Sequence, residues 1–299
     1  MLNYSGLANI QNIRNNIIIN LMITHYCNLH CSYCLSKNRM KDKRQLICTE
    51  YDVLLTNLYN KFSTYDYIEL ILNGGEPFLH PNLSYFIQCF LDLFPQSKIT
   101  ILTNGLLYKN INDMINNLQK YIHRISLCIS YHSNTDIDLF CTFFDTYYKH
   151  IQTSIRILSS FENKNYLNIF NILTKYTESD IRLKLIKTNK NDLDLPYLNE
   201  DILSKTSRYI IYNYKKYSLE DILFYKTHNV FKNYICFPQL FIELDGTYMD
   251  RFCPQQCVYF KSDIFKNKID INIQKVLCNQ EKCIHGCDLL NAKYKIRIE

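Results

Sequence analysis

The chain has 299 residues, 47% of them hydrophobic, and a net charge of +6 at neutral pH. This length is enough for one α/β barrel or for a large domain with a small one, and the mild charge permits an acidic peptide or nucleotide partner without arguing for one. The sequence has no apolar run of the roughly 20 residues that a membrane helix needs, and no signal-peptide pattern at its N-terminus. We therefore expect a cytoplasmic protein, in which the 13 cysteines indicate metal binding or catalysis before disulfides.

Apolar segments typical of strands alternate with amphipathic helical segments through residue 187. The predicted strands lie at residues 16–24, 67–72, 98–102, 124–130, 153–158 and 181–187. Helices are predicted between them, and Thr49 and Thr135 each open a capping-box pattern at a helix start. This alternation predicts a parallel sheet with helices outside. Six units are too few for a closed eight-stranded barrel, so the predicted fold is α/β, a partial (β/α)6 barrel of the TIM type within residues 1–200.

Cysteine-rich or polar motifs follow the first four predicted strands. The motifs, in chain order, are the C-x3-C-x2-C group of Cys27, Cys31 and Cys34, the segment Gly74-Gly75-Glu76-Pro77, the segment Thr103-Asn104-Gly105, and the segment Ser130-Tyr131-His132. The carboxyl ends of parallel strands meet at one edge of a sheet, where the sites of such folds lie. We therefore expect all four motifs in one site.

The three cysteines suit an iron–sulfur cluster. Thiolates are soft ligands that hold iron clusters well, and three of them leave the fourth iron of a four-iron cluster open. A zinc site with His25 or His30 as the fourth ligand is the alternative. Zinc does not explain the motifs that follow the second, third and fourth strands.

The combination of these motifs resembles the radical S-adenosylmethionine (SAM) superfamily. The resemblance implies that Cys27, Cys31 and Cys34 hold a [4Fe-4S] cluster whose open iron binds SAM. Reductive cleavage of SAM would then give a 5′-deoxyadenosyl radical that abstracts a hydrogen atom from a substrate, the protein supplying position and electrostatics. The implied cofactor-binding residues are Tyr33, Gly74, Gly75, Glu76, Asn104 and Ser130.

The assignments of the two glycines and of Glu76 can also be argued from physical chemistry. A Cβ at Gly74 or Gly75 is expected to collide with the cofactor, which explains the glycines. Glu76 suits a structural role in the turn before Pro77 as well as it suits cofactor contact.

The candidates for further catalytic roles are His132, Cys128 and Cys141. The family often carries Asp two residues after the strand-four serine, and this chain carries His132 there. The departure leaves His132 open as a substrate ligand, a proton carrier or a polar strand end. Cys128 and Cys141 fall in a predicted strand and a predicted helix. They suit buried small hydrophobic residues, or thiols that donate a hydrogen atom.

Residues 201–299 are predicted to form a linker and a cysteine-rich α+β module. A β-hairpin with an Asp-Gly turn at 245–246 lies between cysteines. The pattern resembles the twitch or SPASM extensions of radical SAM enzymes, which implies an auxiliary [4Fe-4S] cluster. Its implied ligands come from Cys236, Cys253, Cys278, Cys283 and Cys287, with Cys257 less suited.

The number of auxiliary clusters follows from a cysteine count. A full SPASM set has seven cysteines, and this part of the chain has six, which favours one cluster over two. Which four of them bind is left open, and a structural zinc ion is the alternative, since four thiolates suit it equally well.

The substrate is predicted in outline only. A peptide is the leading hypothesis, and a sugar, amino sugar or nucleotide is the second. The enzyme that rearranges GTP for molybdenum cofactor carries arginines before its first cysteine and before GGEP, where this chain has Asn20 and Ile71, and this disfavours that reaction. A non-catalytic iron–sulfur or zinc protein that binds nucleic acid through the basic segment 37–44 is a third hypothesis. For the enzyme we expect a one-electron donor such as flavodoxin or ferredoxin, and neither a membrane nor a nucleic acid as partner.

Overall fold

The computed structural model describes fourteen stretches of the chain. They are residues 16–31, 34, 41–132, 135–160, 166–173, 175–176, 179–186, 209–212, 215–218, 234–236, 239–250, 258–266, 276–277 and 295–297. Among these residues, no helix is both long enough and apolar enough to cross a membrane.

Strands and helices alternate through the first half of the molecule. In order they are β1 (Asn16–Thr24), α1 (Cys48–Phe62), β2 (Tyr67–Gly74), α2 (Leu83–Leu93), β3 (Lys98–Thr103), α3 (Tyr108–Asn117), β4 (Ile125–His132), α4 (Ile137–Asp145), β5 (Gln152–Ser160), α5 (Tyr166–Leu173) and β6 (Asp180–Ile186). Short 3-10 turns lie at Pro77–Leu79 and Gln119–Arg124. All six predicted strands are confirmed, with bounds that differ by one or two residues.

The later strands are shorter. They are β7 (Tyr209–Tyr212), β8 (Lys215–Ser218), β9 (Tyr234–Cys236), β10 (Gln239–Ile242), β11 (Thr247–Asp250), β12 (Val258–Asp263), β13 (Val276–Leu277) and β14 (Lys295–Arg297). Strands β7 and β8 form a hairpin, and β9 lies between β13 and β14 in a small antiparallel sheet.

The main sheet has nine described strands in the order β12-β11-β10-β1-β2-β3-β4-β5-β6. Strands β1 to β6 are parallel neighbours in chain order, and β10 adds a seventh parallel strand against β1. Strands β11 and β12 continue antiparallel. This arrangement confirms an α/β fold with an open, partial barrel.

The two faces of this sheet differ in composition. The outer face packs against the helices: Ile19, Leu21 and Ile23 are fully buried there, in one core with Leu54 and Leu58 of α1. Each apolar residue that leaves water in this layer contributes about 1.5–3 kcal/mol, so the outer layer supplies most of the stability.

The opposite face, which we call the inner face, carries polar side chains that are largely half-buried. They include Asn20, Glu69, Thr100, Ser126 and Ser130, on strands β1 to β4. Thr100 donates from Oγ1 to Glu69 Oε1 at 3.1 Å and lies 3.0 Å from Ser126 Oγ. In a closed TIM barrel apolar side chains fill this space in layers, whereas here the inner face offers hydrogen-bonding groups.

Two predicted helix caps are wrong, by two residues at α1 and by one residue at α4. Helix α1 begins at Cys48, before Thr49, and its first turn is closed by Glu50, whose Oε2 accepts from the Ile47 N–H at 3.0 Å. At α4 the cap is Asp136, not Thr135, because Asp136 Oδ1 accepts from the Leu139 N–H at 2.8 Å. Asp and Thr both occur as N-caps, with Asp somewhat preferred, and here the Asp136 side chain is the one that reaches the free N–H.

The predicted hairpin around the Asp-Gly turn is confirmed, but its position in the fold was not predicted. Strands β10 and β11 pair antiparallel, and the Thr247 N–H donates to Asp245 Oδ1 at 2.9 Å in the turn between them. The hairpin extends the barrel sheet past β1. Asn57 Nδ2 of α1 also donates to the Ile264 carbonyl after β12, at 2.6 Å. A domain boundary near residue 200 stays a prediction.

Candidate active site

The loops that follow β1, β2, β3 and β4 are joined at one edge of the sheet. The Gly75 N–H donates to the Thr24 carbonyl at 2.7 Å, and the Glu76 N–H donates to the Tyr26 carbonyl at 2.6 Å. Asn104 Nδ2, after β3, donates to Asn28 Oδ1 in the cysteine loop at 2.8 Å. At the end of β4, His132 and Cys31 are also in contact. The site predicted from the four motifs therefore forms around the cysteine loop.

The two glycines after β2 are required by the neighbouring backbone. A Cβ at Gly74, where φ is +155°, would lie 2.2 Å from the Thr24 carbonyl oxygen. A Cβ at Gly75 would lie 2.1 Å from the Tyr26 carbonyl oxygen. The prediction gave a collision with the cofactor as the reason for these glycines, and the structure shows a collision with the cysteine loop itself. Contact between the glycines and a cofactor stays a prediction.

Glu76 is enclosed between the second and third loops, with 1% of its surface exposed. Its Oε1 accepts from Thr103 Oγ1 at 2.7 Å and from the Phe78 N–H at 3.2 Å, and its Oε2 accepts from the Asn104 N–H at 2.8 Å. Burial raises the pKa of Glu76 to about 7, against the opposing effect of these three hydrogen bonds. The carboxyl group braces the two loops, which is the structural role considered for it, and its contact with a cofactor stays a prediction.

The cysteine loop brings its three thiols within electrostatic reach of one another. Burial, with smaller contributions from Glu76, Cys31 and Cys34, raises the pKa of Cys27 to about 11, although a hydrogen bond from the Leu29 N–H at 3.4 Å opposes the rise. The Cys34 N–H donates to the Cys31 carbonyl at 3.2 Å. In the described part of the chain, no three Cys, His, Asp or Glu side chains are already drawn together as in a bound metal site.

These thiols fit an iron–sulfur cluster. A bound metal ion favours the thiolate form of its cysteine ligands. The donor set is soft and consists of three sulfurs on one loop. The assignment of Cys27, Cys31 and Cys34 as the cluster ligands stays a prediction.

A second set of contacts, not predicted from the sequence, anchors the start of the cysteine loop. The His25 N–H donates to the Arg44 carbonyl at 2.7 Å, and His25 Nδ1 pairs with the Asp42 carboxylate. The hydrogen bond from His25 holds the pKa of Asp42 below its usual range. Arg44 Nη2 in turn lies 3.0 Å from Glu50 Oε1. Local sequence patterns do not predict these pairings, because His25 and Asp42 lie 17 residues apart in the chain.

The end of β4 places Ser130 and His132 on the inner face. Ser130 lies opposite Arg156 of β5 in the parallel register, so Arg156 shares this face. Burial lowers the pKa of His132. Arg156 was not predicted as a site residue. The sequence pattern that could have indicated it is a single arginine at an alternating position within an apolar strand.

The two cysteine candidates lie in different layers. Cys128 is 2% exposed and lies on β4 two residues before Ser130, on the same face. Cys141 lies in α4 and belongs to the apolar core behind the outer face. The inner-face position is the one that a hydrogen-atom donor needs, so Cys128 is the better placed of the two. A catalytic role for either stays a prediction.

The other predicted ligands lie mostly outside the described residues. This applies to Tyr33, Cys253, Cys278, Cys283 and Cys287. Cys236 ends strand β9 of the small sheet, opposite Val276 and Lys295. The auxiliary cluster and its ligands stay a prediction.

Comparisons with known proteins agree with this site. A family model described as a 4Fe-4S single cluster domain matches residues 18–136, which include all four loops. The GTP 3′,8-cyclase of Microcystis aeruginosa (strain NIES-843 / IAM M-2473) is 30% identical over 90 residues, 30% of this chain and 27% of that protein. These matches support a radical SAM enzyme. The family model supports a [4Fe-4S] cluster as a cofactor, and a structural neighbour with bound AdoMet, described next, supports SAM.

Solved structures of radical SAM proteins share the fold. anSMEcpe with bound AdoMet, another name for SAM, superimposes with a TM-score of 0.56 at 13% identity, covering 93% of this chain and 82% of that one. Streptococcus suis SuiB bound to precursor peptide SuiA has a TM-score of 0.52 at 16% identity, covering 94% of this chain and 64% of that one. Structural likeness at this identity establishes the radical SAM fold and leaves the substrate to other arguments. The chain spans about a quarter of the length of the cyclase, so the activity of that whole protein is not transferred.

Proposed function

We propose that this chain cleaves SAM reductively and abstracts a hydrogen atom from a peptide substrate. The observation that carries the proposal is the convergence of the loops after β2, β3 and β4 on the cysteine loop. A structural zinc loop needs none of these contacts, whereas a cofactor that is held by cysteines and bound by neighbouring strand ends needs them all.

The chain's own residues have distinct tasks in this proposal. A reduced cluster with SAM supplies, when both are bound, the 5′-deoxyadenosyl radical. Cys27, Cys31 and Cys34 hold the iron. The backbone after β2 fixes the entry to the cysteine loop through Thr24 and Tyr26, so that the cluster site is rigid before the cofactor binds. Asn104 and Ser130 lie at the ends of β3 and β4 and bind SAM.

A peptide is preferred over a small molecule as the substrate. The two structural relatives that share the fold include forms with bound peptides, a Cp18Cys peptide in one and the precursor peptide SuiA in the other. The inner face is open and polar, which suits a side chain that enters from a longer ligand. A nucleotide is the second candidate, because the matching curated relative is a GTP 3′,8-cyclase and Arg156 on the inner face suits a phosphate.

Two accessory features complete the proposal. A one-electron donor such as flavodoxin or ferredoxin supplies the electron in the cytoplasm, and an auxiliary cluster is held by cysteines from Cys236 onward. Iron analysis tests the second feature. A variant with Ala at positions 27, 31 and 34 is expected to keep about four irons per chain, the content of one auxiliary cluster. Bound zinc with no iron in that variant contradicts the auxiliary cluster.

The test of SAM cleavage uses the anaerobically reconstituted protein with dithionite and SAM. Formation of 5′-deoxyadenosine is expected in the wild type, and none in the variant that lacks the three cysteines. A wild-type protein with a complete cluster that forms no 5′-deoxyadenosine contradicts the proposal. For the substrate, the same reaction is run with a peptide encoded next to this gene and, separately, with GTP. A mass change in the peptide supports the peptide proposal, and consumption of GTP alone overturns it.

A further inference from the structure

His132 contacts one of the cluster ligands from a different part of the chain. Its Nδ1 lies 3.4 Å from Cys31 Sγ, across 101 residues of sequence. The histidine is the last residue of β4, and the cysteine lies in the loop after β1, so neither local sequence nor a shared turn brings them together. This distance is within hydrogen-bond range for a sulfur acceptor.

The backbone around His132 fixes this contact in place. Strand β4 is paired on one side with β3 and on the other with β5, where His132 lies opposite Leu158. The Thr135 N–H donates to the His132 carbonyl at 2.8 Å, and Tyr131 Oη donates to the Thr135 carbonyl at 2.5 Å. The ring therefore extends from a rigid strand end toward the cysteine loop.

We propose that His132 is a positioning residue for the cluster, which donates a hydrogen bond from Nδ1 to the Cys31 thiolate. This inference rests on the proposed function. A cluster thiolate has no proton to give, so in the loaded protein only the histidine can be the donor. A neutral ring with its proton on Nδ1 and a protonated ring both supply it.

The consequence is a change in the reduction potential of the cluster. Reduction adds negative charge to the iron and its sulfurs, and a donor aimed at a ligand sulfur stabilises that charge. His132 therefore raises the potential and makes the electron transfer that precedes SAM cleavage more favourable. A substrate ligand or a proton carrier at the same position would leave the potential of the substrate-free cluster unchanged.

The experiment is a reductive titration of the reconstituted, substrate-free protein, followed by electron paramagnetic resonance of the reduced cluster. His132→Phe keeps a ring and removes the donor, while His132→Asn keeps an N–H donor near the position of Nδ1. His123→Phe is the matched control, because His123 precedes the opposite end of the same strand. We expect His132→Phe to make reduction about tenfold less favourable, which is about 59 mV for a one-electron couple. His132→Asn and His123→Phe are expected to stay within a third of that shift.

The outcomes separate this inference from the function on which it rests. Equal potentials in wild type, His132→Phe and His132→Asn, with full iron content in each, overturn the role of His132 and leave SAM cleavage intact. A wild-type protein that takes up no iron overturns both. If His132→Phe does not retain the cluster, His132→Gln replaces it, since its amide lies beyond the Nδ1 position. A wild-type potential in His132→Gln would then count against the hydrogen bond.

Discussion

At the scale of single residues, Glu76 shows how an acid that belongs to a cofactor motif can serve the protein first. Both carboxyl oxygens accept hydrogen bonds from the protein, and two of the donors are backbone N–H groups, at Phe78 and Asn104. A buried donor that loses its acceptor costs about 1–3 kcal/mol. The side chain therefore holds the second and third loops together before any cofactor is bound.

The first prediction follows from this geometry. In Glu76→Gln, either orientation of the new amide sets its NH2 group against a backbone N–H, so we expect a loss of about 1–3 kcal/mol in unfolding free energy. Urea denaturation of the cofactor-free protein measures it. Glu50→Gln is the control, since Glu50 likewise accepts a backbone N–H, from Ile47, and pairs with Arg44, but at a partly exposed position where water can replace the lost bonds. It should cost under about 1 kcal/mol. Equal losses in the two variants contradict the bracing role.

The second prediction concerns pH. Burial raises the pKa of Glu76 in the folded protein to about 7, from its ordinary value of 4.5. Between these two pH values the folded protein therefore binds a proton that the unfolded chain has released. Unfolding free energy is therefore expected to fall as pH rises from about 4.5 to about 7, by about 3 kcal/mol, and to be constant with respect to this group outside that window. Urea titrations at several pH values compare wild type with Glu76→Gln, which should lack this slope. Identical slopes for the two proteins would exclude the shifted pKa.

At the scale of elements, the contact between the end of β2 and the loop after β1 positions the cysteines. This contact places Gly75 so close to the Tyr26 carbonyl oxygen that no side chain fits between them. The neighbouring atoms belong to the backbone, which cannot rotate away as a flexible side chain does. Any added atom must displace the loop that leads into Cys27.

The third prediction is that Gly75→Ala disrupts both stability and the cluster site. The new Cβ would lie 2.1 Å from the Tyr26 carbonyl oxygen, and overpacking of this kind costs about 3 kcal/mol. We expect reconstituted iron content to fall together with the unfolding free energy. Iron analysis and urea denaturation measure the two. A variant with full iron content and wild-type stability would show that the glycine serves the cofactor instead of the loop.

The strands and the site motifs could be predicted from sequence because their signals are local. Apolar segments of the right length gave all six barrel strands, and the motifs followed the strand ends. The failed predictions have two causes, a competition between adjacent residues and a contact with a distant loop. Asp136 competes with Thr135 for one N–H, and the partner of Gly75 is a carbonyl in another loop. The hairpin of β10 was visible in its turn residues, while its pairing with β1 involves residues more than 200 positions away in the sequence.

At the scale of the whole molecule, the pairing of β10 with β1 joins the late part of the chain to the barrel. Leu240 and Ile242 of β10 are buried, in the same apolar core as Ile19 and Leu21 of β1. A strand that shares both the hydrogen-bonded sheet and the core of a domain unfolds with it. The late strands are thus expected to contribute to barrel stability.

The fourth prediction tests this coupling. Ile242→Ala should lower the unfolding free energy by about 2–5 kcal/mol, the cost of a cavity in a packed core, and should shift one common transition. Circular dichroism and tyrosine fluorescence are suitable probes, because the chain has 25 tyrosines and no tryptophan. Leu139→Ala, at a side chain that is 48% exposed, serves as control and should cost about 0.5 kcal/mol or less. Two separate transitions, with only one moved by Ile242→Ala, would contradict the shared core.

The last prediction links the open barrel to its function. Asn20 is 8% exposed on the inner face, and its Nδ2 has no hydrogen-bond partner among the described residues. A buried donor without an acceptor destabilises the free protein, and a bound substrate with a carbonyl or hydroxyl group would satisfy it. Asn20→Leu is therefore expected to raise the unfolding free energy by about 1 kcal/mol and to lower turnover of the substrate at least tenfold.

Stability and turnover must both be measured for Asn20→Leu. A gain in unfolding free energy together with a loss of turnover distinguishes a functional residue from a structural one. Asn112→Leu is the matched control: it makes the same substitution at an exposed amide, which lies 3.3 Å from Thr146 Oγ1 on the helix surface, and should leave turnover unchanged. A destabilised Asn20→Leu protein would mean that the amide is already satisfied within the fold. A stabilised variant with wild-type turnover would mean that substrate does not reach the inner face at β1. A stabilised variant with reduced turnover, beside an unaffected control, places the substrate against this strand and explains why a polar side chain is retained in a buried position.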